Sequence, residues 1–320
     1  MKLRHKIRTA FAILTLLVGL VIALPACSIN YRQQMRDFVQ TLSSYAKGHN
    51  PNFIIIPQNG VELVSTTGDK VGVPVRGYLN AIDGIGQESL FYGYYEDGKA
   101  TPKSETRRLS ALLNMAKREK GVTILVTDYC QTKACMDDSI RRNREKGYLA
   151  FAADQRELSN LPKYPASPHN KNHRSIRKLS EASNFIYLIN PDSFSTRKEL
   201  VKALSETDYD LIIMDFFFKG GEYAKAQIER LKTKNNGGRR LVLSYLSIGE
   251  AEDYRYYWSE QWSDRPPSWL KGENPDWPGN YRVEYWSPKW QHLIFGDSSS
   301  YLDKILQAGF DGVYLDIIDA

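Results

Sequence analysis

The sequence lacks the residues and motifs on which several enzyme classes depend. Only five histidines occur in 320 residues, and His169, His173 and His292 lack the partner spacing of a metal site, so we expect no metal and no other cofactor. The motifs G-x-S-x-G, G-x-x-x-x-G-K-[ST] and H-E-x-x-H are missing, which argues against a serine hydrolase, a P-loop enzyme and a zinc protease. Signatures of the H-I-G-H and K-M-S-K-S type are missing too, which argues against an aminoacyl-tRNA synthetase.

A strong excess of one charge is also lacking. The formal net charge is +6, and four of the positive residues, Lys2, Arg4, Lys6 and Arg8, lie together at the N-terminus. The short basic run within residues 141–146 has acidic neighbours and is typical of a solvated helix face. Because no basic stripe or recognition motif accompanies the remaining excess, we expect no nucleic-acid partner.

The N-terminus has the pattern of an export signal. Residues 1–8 are basic, residues 9–24 are almost wholly apolar, and Pro25-Ala26-Cys27 follows. This pattern predicts a signal peptide over residues 1–27 with a lipobox-like end and lipid attachment at Cys27, and hence a bacterial cell-envelope lipoprotein (periplasmic or outer-surface) or a secreted protein held at or released from the membrane. An uncleaved N-terminal membrane anchor is the alternative.

Cysteine is scarce in the rest of the chain. Cys130 and Cys135 are the two that remain after Cys27. In an exported protein they could form a disulfide, and two buried free thiols are the alternative. The sequence leaves both open.

Short apolar runs alternate with amphipathic stretches from residue 30 to the end of the sequence, which is typical of parallel strands covered by helices. We predict strands at Phe53–Pro57, Tyr78–Ile82, Val122–Thr127, Tyr148–Ala152, Phe185–Ile189, Leu211–Met214, Leu241–Leu246 and Gly312–Ile318. We predict helices at 31–47, 102–119, 134–146, 196–206, 221–234 and 298–308. Eight strands in alternation favour a single (β/α)₈ TIM barrel over residues 28–320.

Two segments interrupt the alternation. Residues 250–297 hold all six tryptophans and several prolines, which predicts a lid or binding loop. Residues 159–175 are rich in Pro, Asn and His and resemble a linker. A helix comes first and a strand comes last, so the barrel is expected to be circularly permuted, with 159–175 joining the original termini; a truncated reading frame is the alternative.

Acidic and amide side chains follow many of the predicted strands, at the end where barrel enzymes carry their reactive groups. Asp316 and Asp215 each close an apolar run, and a charge in such a position is costly unless it is paired or functional. Glu88 lies in a glycine-bearing turn that could bring it close to a ligand. The substrate-binding candidates at these ends are Asn59, Asp128, Asp215, Tyr245, Glu250 and Asp319.

A crowded acidic rim fits glycosidic bond cleavage. That reaction uses two carboxyl groups, one to protonate the leaving oxygen and one to attack carbon or activate water. One of the two must keep its proton at working pH while the other stays ionised.

Four segments of the sequence resemble the exported glycoside hydrolases related to family 114, the endo-α-1,4-polygalactosaminidase group. They are Ile82–Tyr92, Tyr245–Trp258, Asn280–Trp286 and Ala308–Asp319. The resemblance implies a (β/α)₈ barrel, Asp316 as the catalytic nucleophile and Glu88 as the acid/base. It also implies that Asp215, Glu250 and Tyr245 line the sugar cleft. The halves of the chain stand in the opposite order to that of the relatives, which agrees with a permutation.

These observations lead to two hypotheses. The first is an endo-acting glycosidase that cleaves an α-linked amino-sugar polysaccharide. The second is a surface lipoprotein that binds polysaccharide without turning it over. Asp316 and Glu88 lie far apart in the sequence, so they can share a cleft only if the last strand meets the first.

Overall fold

The computed structural model describes residues 29–319, and Tyr31–Ala320 forms one compact unit. The predicted signal peptide and Cys27 lie outside the described residues. No helix within the described range is long and apolar enough to cross a membrane.

Eight parallel strands form the centre of this unit. They are β1 (Ile54–Pro57), β2 (Gly84–Glu88), β3 (Thr123–Tyr129), β4 (Leu149–Ala153), β5 (Ile186–Leu188), β6 (Leu211–Met214), β7 (Leu241–Ser247) and β8 (Gly312–Asp316). One sheet has the order β1-β8-β7-β6-β5, and a second has the order β2-β3-β4. A parallel bridge between Gln58 and Gly86 connects β1 to β2. The expected α/β class with parallel strands is therefore confirmed.

The pairing of β8 with β1 brings distant parts of the chain together. Gly312 to Leu315 pair in parallel with Ile54 to Pro57, and the other edge of β8 pairs with β7. Since parallel strands in register end at the same edge, Asp316 lies at the same rim as the residues that follow β1 and β2. The last strand therefore pairs with the first, as a cleft shared by Asp316 and Glu88 requires.

Helices cover the strands on the outside. They are α1 (Tyr31–His49), α2 (Arg76–Ala81), α3 (Lys103–Lys120), α4 (Lys133–Glu145), α5 (Arg197–Ser205), α6 (Lys225–Leu231), α7 (Pro288–Ile294) and α8 (Tyr301–Ala308). Their buried residues recur at helical spacing, as with Met35, Phe38, Val39 and Leu42 of α1. Gly121 and Gly309 end α3 and α8 in the left-handed conformation.

The strand predicted at Tyr78–Ile82 is wrong. Those residues belong mainly to α2, whose buried side chains Tyr78 and Leu79 supply the apolar signal, and the strand begins two residues later at Gly84. Gly84 and Gly86 interrupt the apolar pattern of β2, so the sequence did not indicate this strand. Packing requires a glycine at position 86. A Cβ on Gly86 would lie 1.9 Å from the hydroxyl oxygen of Tyr314 on β8.

Residues 250–297 form ordered structure in place of the expected long loop. Strands Glu250–Glu252, Asn280–Val283 and Leu270–Glu273 pair antiparallel in that spatial order, and α7 follows them. Trp290 is fully buried, and its indole N–H donates to the carbonyl of Ile248 at 2.8 Å. Trp269 packs 5.2 Å from the Trp290 ring. Trp269 and Trp290 are therefore core residues of a small subdomain. Their packing anchors this subdomain beside β7.

The two cysteines form a disulfide between the end of β3 and the first turn of α4. Cys130 and Cys135 are bonded with their Cα atoms 5.5 Å apart. Thr132 lies between them and caps α4, because its hydroxyl accepts from the amide of Cys135 at 3.3 Å. The structure thus resolves the alternative that the sequence left open.

Candidate active site

Asp316 is the last residue of β8 and faces the rim. Its Oδ2 accepts a hydrogen bond from the phenol of Tyr245 on β7, at 2.8 Å. Burial raises the pKa of the Asp316 carboxyl to about 7, and the charge of Glu88 raises it in the same direction. The bonds from Tyr245 and from the amide of Ile317 oppose this shift. Asp316 is therefore a carboxyl group that can hold or release a proton near neutral pH.

Glu88 ends β2 and is held from two sides. The amide nitrogen of Asn59 donates to Glu88 Oε2 at 2.9 Å, and Asn59 Oδ1 accepts from the backbone amide of Glu88 at 3.0 Å. The phenol of Tyr129, from the end of β3, donates to Glu88 Oε1. Donors aimed at both oxygens fix the orientation of this carboxylate. Asp316 and Glu88 are close enough for the charge of one to change the pKa of the other.

Asn59 contacts Glu88, one of the two catalytic candidates. Its backbone φ is +59°, in the left-handed region that asparagine tolerates better than most residues. The side chain bonds Glu88, and its Oδ1 also accepts from the amide of Gln87 at 3.3 Å. The structure thus places Asn59 as a residue that positions Glu88.

Arg156 supports the same carboxylate from a distance, and the sequence did not indicate it. Its guanidinium lies 4.0 Å from the ring centroid of Tyr129. It also donates to Asp97 at 2.6 Å and to the carbonyl of Gly93 at 2.5 Å, both on the segment that follows β2. The cation therefore holds the Tyr129 ring against the loop next to Glu88.

Buried tyrosines from four strands form the floor beneath the two carboxyl groups: Tyr129, Tyr187, Tyr245 and Tyr314. Burial raises the pKa of each phenol, and nearby carboxylates raise it further. Tyr187 donates to Gln58 Oε1 at 2.8 Å and packs 5.0 Å from the Tyr314 ring. Neutral phenols at this depth make a low-dielectric floor that keeps a charge on Asp316 costly.

Asp215 is engaged in a buried ion network at the end of β6. Arg255 binds both of its oxygens, at 2.9 and 2.8 Å, and also binds Glu252. The backbone amide of Phe217 donates to Asp215 Oδ1 at 2.7 Å. Burial raises the pKa of Asp215, and the charge of Arg255 opposes that shift. The sequence did not single out Arg255, which comes from the segment after β7.

Only one of the two carboxylate oxygens of Glu250 accepts a hydrogen bond within the described residues. Asn274 donates to Oε1 at 2.8 Å, while Oε2 is buried without a partner within the described residues. Burial raises the pKa of this carboxyl. Glu250 Oε2 is therefore an unsatisfied buried acceptor just after β7.

Asp128 is not at the rim surface, which corrects its assignment to substrate binding. Its side chain is fully buried on β3. The carboxylate accepts from the backbone amides of Phe91 and Tyr92, at 2.8 and 3.1 Å, and from the hydroxyl of Ser139 at 2.6 Å. Because protein donors surround it, Asp128 fastens the segment after β2 to α4. Asp319, in contrast, is exposed beyond the end of β8.

Comparison with known proteins relates the second half of the chain to one family. Residues 166–320 match the model of glycoside-hydrolase family GH114. The matched range holds β5 to β8 and includes Asp215, Tyr245, Glu250 and Asp316. Glu88 and Asn59 lie before it.

Curated proteins similar to this chain come from archaea and bacteria. An uncharacterized protein of Methanocaldococcus jannaschii is 38% identical over 176 residues, covering 54% of this chain and 47% of that protein. Uncharacterized proteins of Thermotoga maritima and Deinococcus radiodurans are each 39% identical, over 117 and 120 residues, covering 37% and 38% of this chain. The matches span less than half of each relative, at 47%, 35% and 36%. The chain is thus similar to GH114 glycoside hydrolases over residues 166–320.

Proposed function

We propose that this protein is an endo-acting glycosidase that cleaves an α-linked amino-sugar polysaccharide with Asp316 and Glu88. The observation that carries the proposal is the pairing of these two carboxyl groups at one rim, one of them with a pKa raised to about 7. The similarity of residues 166–320 to GH114 supports the glycosidase class. The substrate rests on the family resemblance and on the acidic rim, which would attract a cationic sugar.

The two carboxyl groups suit different roles. A carboxyl with a pKa near 7 keeps its proton at mildly acid pH and can give it to the glycosidic oxygen. Glu88, held by Asn59 and Tyr129, is oriented as the carboxylate that attacks the anomeric carbon or removes a proton from water. We therefore assign the acid to Asp316, which reverses the roles that the family resemblance implied.

The site requires a closed ring of strands. We propose that β1 to β8 form a (β/α)₈ barrel, in which β4 of one sheet lies next to β5 of the other and closes the ring. Phe151 on β4 packs 5.8 Å from Phe185 beside β5, which supports this closure. In the described residues the connection between these strands contains a single 3₁₀ turn, Leu179–Glu181, where a barrel helix would stand. That connection supports residues 159–175 as the join in a permuted barrel.

Export as a lipoprotein through Cys27 is part of the same proposal. It is supported by the basic and apolar pattern of residues 1–24 and by a disulfide at Cys130, since disulfides persist in oxidising compartments. Mass spectrometry of the protein from a bacterial membrane fraction would detect a lipid on Cys27. An unmodified N-terminus that keeps residues 1–26 would contradict lipidation.

The direct test is release of reducing ends from α-1,4-linked polygalactosamine. Asp316→Asn and Glu88→Gln should each lose at least 99% of the wild-type rate, since removal of an acid or base costs about 100-fold or more. Glu206→Gln, which changes an exposed carboxylate directly after α5, is the matched control and should keep full activity. Binding of the polymer without any product by the wild type would favour the polysaccharide-binding alternative.

A second substrate separates the two roles. An aryl glycoside with a dinitrophenolate leaving group does not need protonation, so Asp316→Asn should retain much of its activity on it. Glu88→Gln should be inactive on both substrates. The reverse pattern would make Asp316 the nucleophile.

A further inference from the structure

A cleft lies beside the segments that follow β1 and β8. It has a volume of about 280 Å³ and is lined by the start of α1, the turn after β1 and the segment after β8, including Tyr31, Gly60, Glu62, Tyr285, Ile318 and Asp319. We refer to it as the Tyr31 cleft.

The Tyr31 cleft adjoins the catalytic groups through the chain itself. Gly60 follows Asn59, whose amide bonds Glu88. Asp319 lies three residues after Asp316, and the charge of Glu88 acts on it. A group bound in the cleft is therefore next to the carboxyl groups that would cleave the chain.

Tyr31 lines the cleft, and Trp286 packs against its ring. The side chain of Tyr31 is 53% exposed, and its ring lies 5.1 Å from the ring of Trp286, which is partly exposed. Tyr285 fixes this arrangement, because its hydroxyl donates to the carbonyl of Tyr31 at 3.0 Å and its ring packs 4.9 Å from Trp286. Rigid, solvent-facing rings of this kind offer an apolar face to the C–H face of a pyranose.

Two carboxylates, Glu62 and Asp319, also line the cleft, and Glu62 forms an ion pair with Arg108. Although Asp319 as a whole residue is exposed, desolvation raises the pKa of its carboxyl, and the charges of Glu88, Glu62 and Glu250 raise it further. Arg32 also lines the cleft, and the carbonyl of Thr67 holds its guanidinium by a hydrogen bond of 3.0 Å. A bound cation would relieve the repulsion around Asp319.

From this arrangement we infer that the Tyr31 cleft is a sugar-binding subsite, which holds one hexosamine residue of the polymer next to the bond that is cleaved. Its ring stacks on Tyr31, which Trp286 supports, and its ammonium group faces Asp319. The inference rests on the proposed function and goes beyond it by assigning residues outside the catalytic pair.

The experiment compares α-1,4-linked galactosamine oligomers of increasing length. For the wild type, kcat/KM should rise at the length that fills the cleft. Tyr31→Ala and Trp286→Ala should lower kcat/KM on the long oligomers about threefold to tenfold relative to the shortest oligomer cleaved. Asp319→Asn should reduce the preference for free amines over N-acetylated oligomers. Tyr164→Ala, a partly exposed tyrosine beside α4, is the matched control.

Binding measured in the Asp316→Asn background separates this inference from the proposed function. Calorimetry with the same oligomers should show weaker binding of long oligomers after Tyr31→Ala, whether or not the wild type turns them over. Cleavage by the wild type with the same length dependence in all variants would overturn the subsite alone. Absence of any oligomer binding would also overturn it.

Discussion

Tyr245 and Asp316, on adjacent strands, share a hydrogen bond of 2.8 Å in which the phenol donates to the carboxyl group whose pKa is about 7. The bond stabilises the ionised form of Asp316 and so holds its pKa below the value that burial alone would produce. The acidity of Asp316 is thus set by opposing effects, one of which a single substitution can remove.

Tyr245→Phe should raise the pKa of Asp316 above about 7. A hydrogen bond to a charged group is worth about 1.5 kcal/mol, so the change should be about one pH unit. NMR titration of isotope-labelled aspartate carboxyls would measure it directly, and the alkaline limb of the activity profile should move to higher pH. Tyr187→Phe is the control, because Tyr187 donates to Gln58. An unchanged or lower pKa in Tyr245→Phe would contradict the role of this bond.

Asp316→Asn should stabilise the fold, and more so at high pH. The folded-state pKa of Asp316 is about 7, whereas an unfolded aspartate titrates near 3.9. The wild type therefore loses stability as the pH rises between these values, since the buried group must ionise. Asparagine has no such cost, so its advantage should grow by roughly 2.5 kcal/mol between pH 5 and 8. Urea unfolding at both pH values tests this, and a constant difference would count against a raised pKa.

Gly86→Ala should destabilise the protein by about 3 kcal/mol, because the new methyl group would overlap the Tyr314 ring. Gly272→Ala is the matched control in a strand, where no atom lies within 4 Å of the added Cβ. Chemical unfolding measures both. Combining Gly86→Ala with Tyr314→Val should cost less than the sum of the two single changes, and strict additivity would show that the two residues do not interfere.

Arg255→Leu should cost about 3–5 kcal/mol at neutral pH, since it leaves Asp215 and Glu252 buried without their cation. The loss should shrink as the pH falls, because protonation removes the uncompensated charges. Lys202→Met breaks the exposed pair with Glu206 and should change stability by less than about 0.5 kcal/mol. Equal effects of the two variants would show that the buried network contributes no more than a surface pair.

The rim position of Asp316 was predictable, because a charge at the end of an apolar run on β8 stands out in any sequence. Strand β2 was not, since Gly84 and Gly86 carry no apolar pattern and their need arises from side chains on other elements. For Asp128, the sequence pattern suggested a role that the contacts of the side chain do not support. It follows the same strand-end pattern as Asp316, and only the donors that Phe91, Tyr92 and Ser139 supply reveal its structural role.

The partners of the two arginines at the site could not be predicted from the sequence either. Arg156 and Arg255 act on residues 27 and 40 positions away, Tyr129 and Asp215, and nothing in their local sequence marks those partners. Pairings of this kind follow from the closed arrangement of strands. The tyrosine floor could not be predicted either, because its four members come singly from four strands and only the fold brings them together.

The position of β8 between β7 and β1 has a consequence for biosynthesis. A ribosome adds residues 312–316 only after every other parallel strand has been made, so the nascent chain carries unpaired edges on both β1 and β7 until then. Such edges recruit other strands and promote aggregation. A chaperone that shields these edges during translation, or during passage through an export channel, would therefore protect the chain until Asp316 arrives beside Glu88.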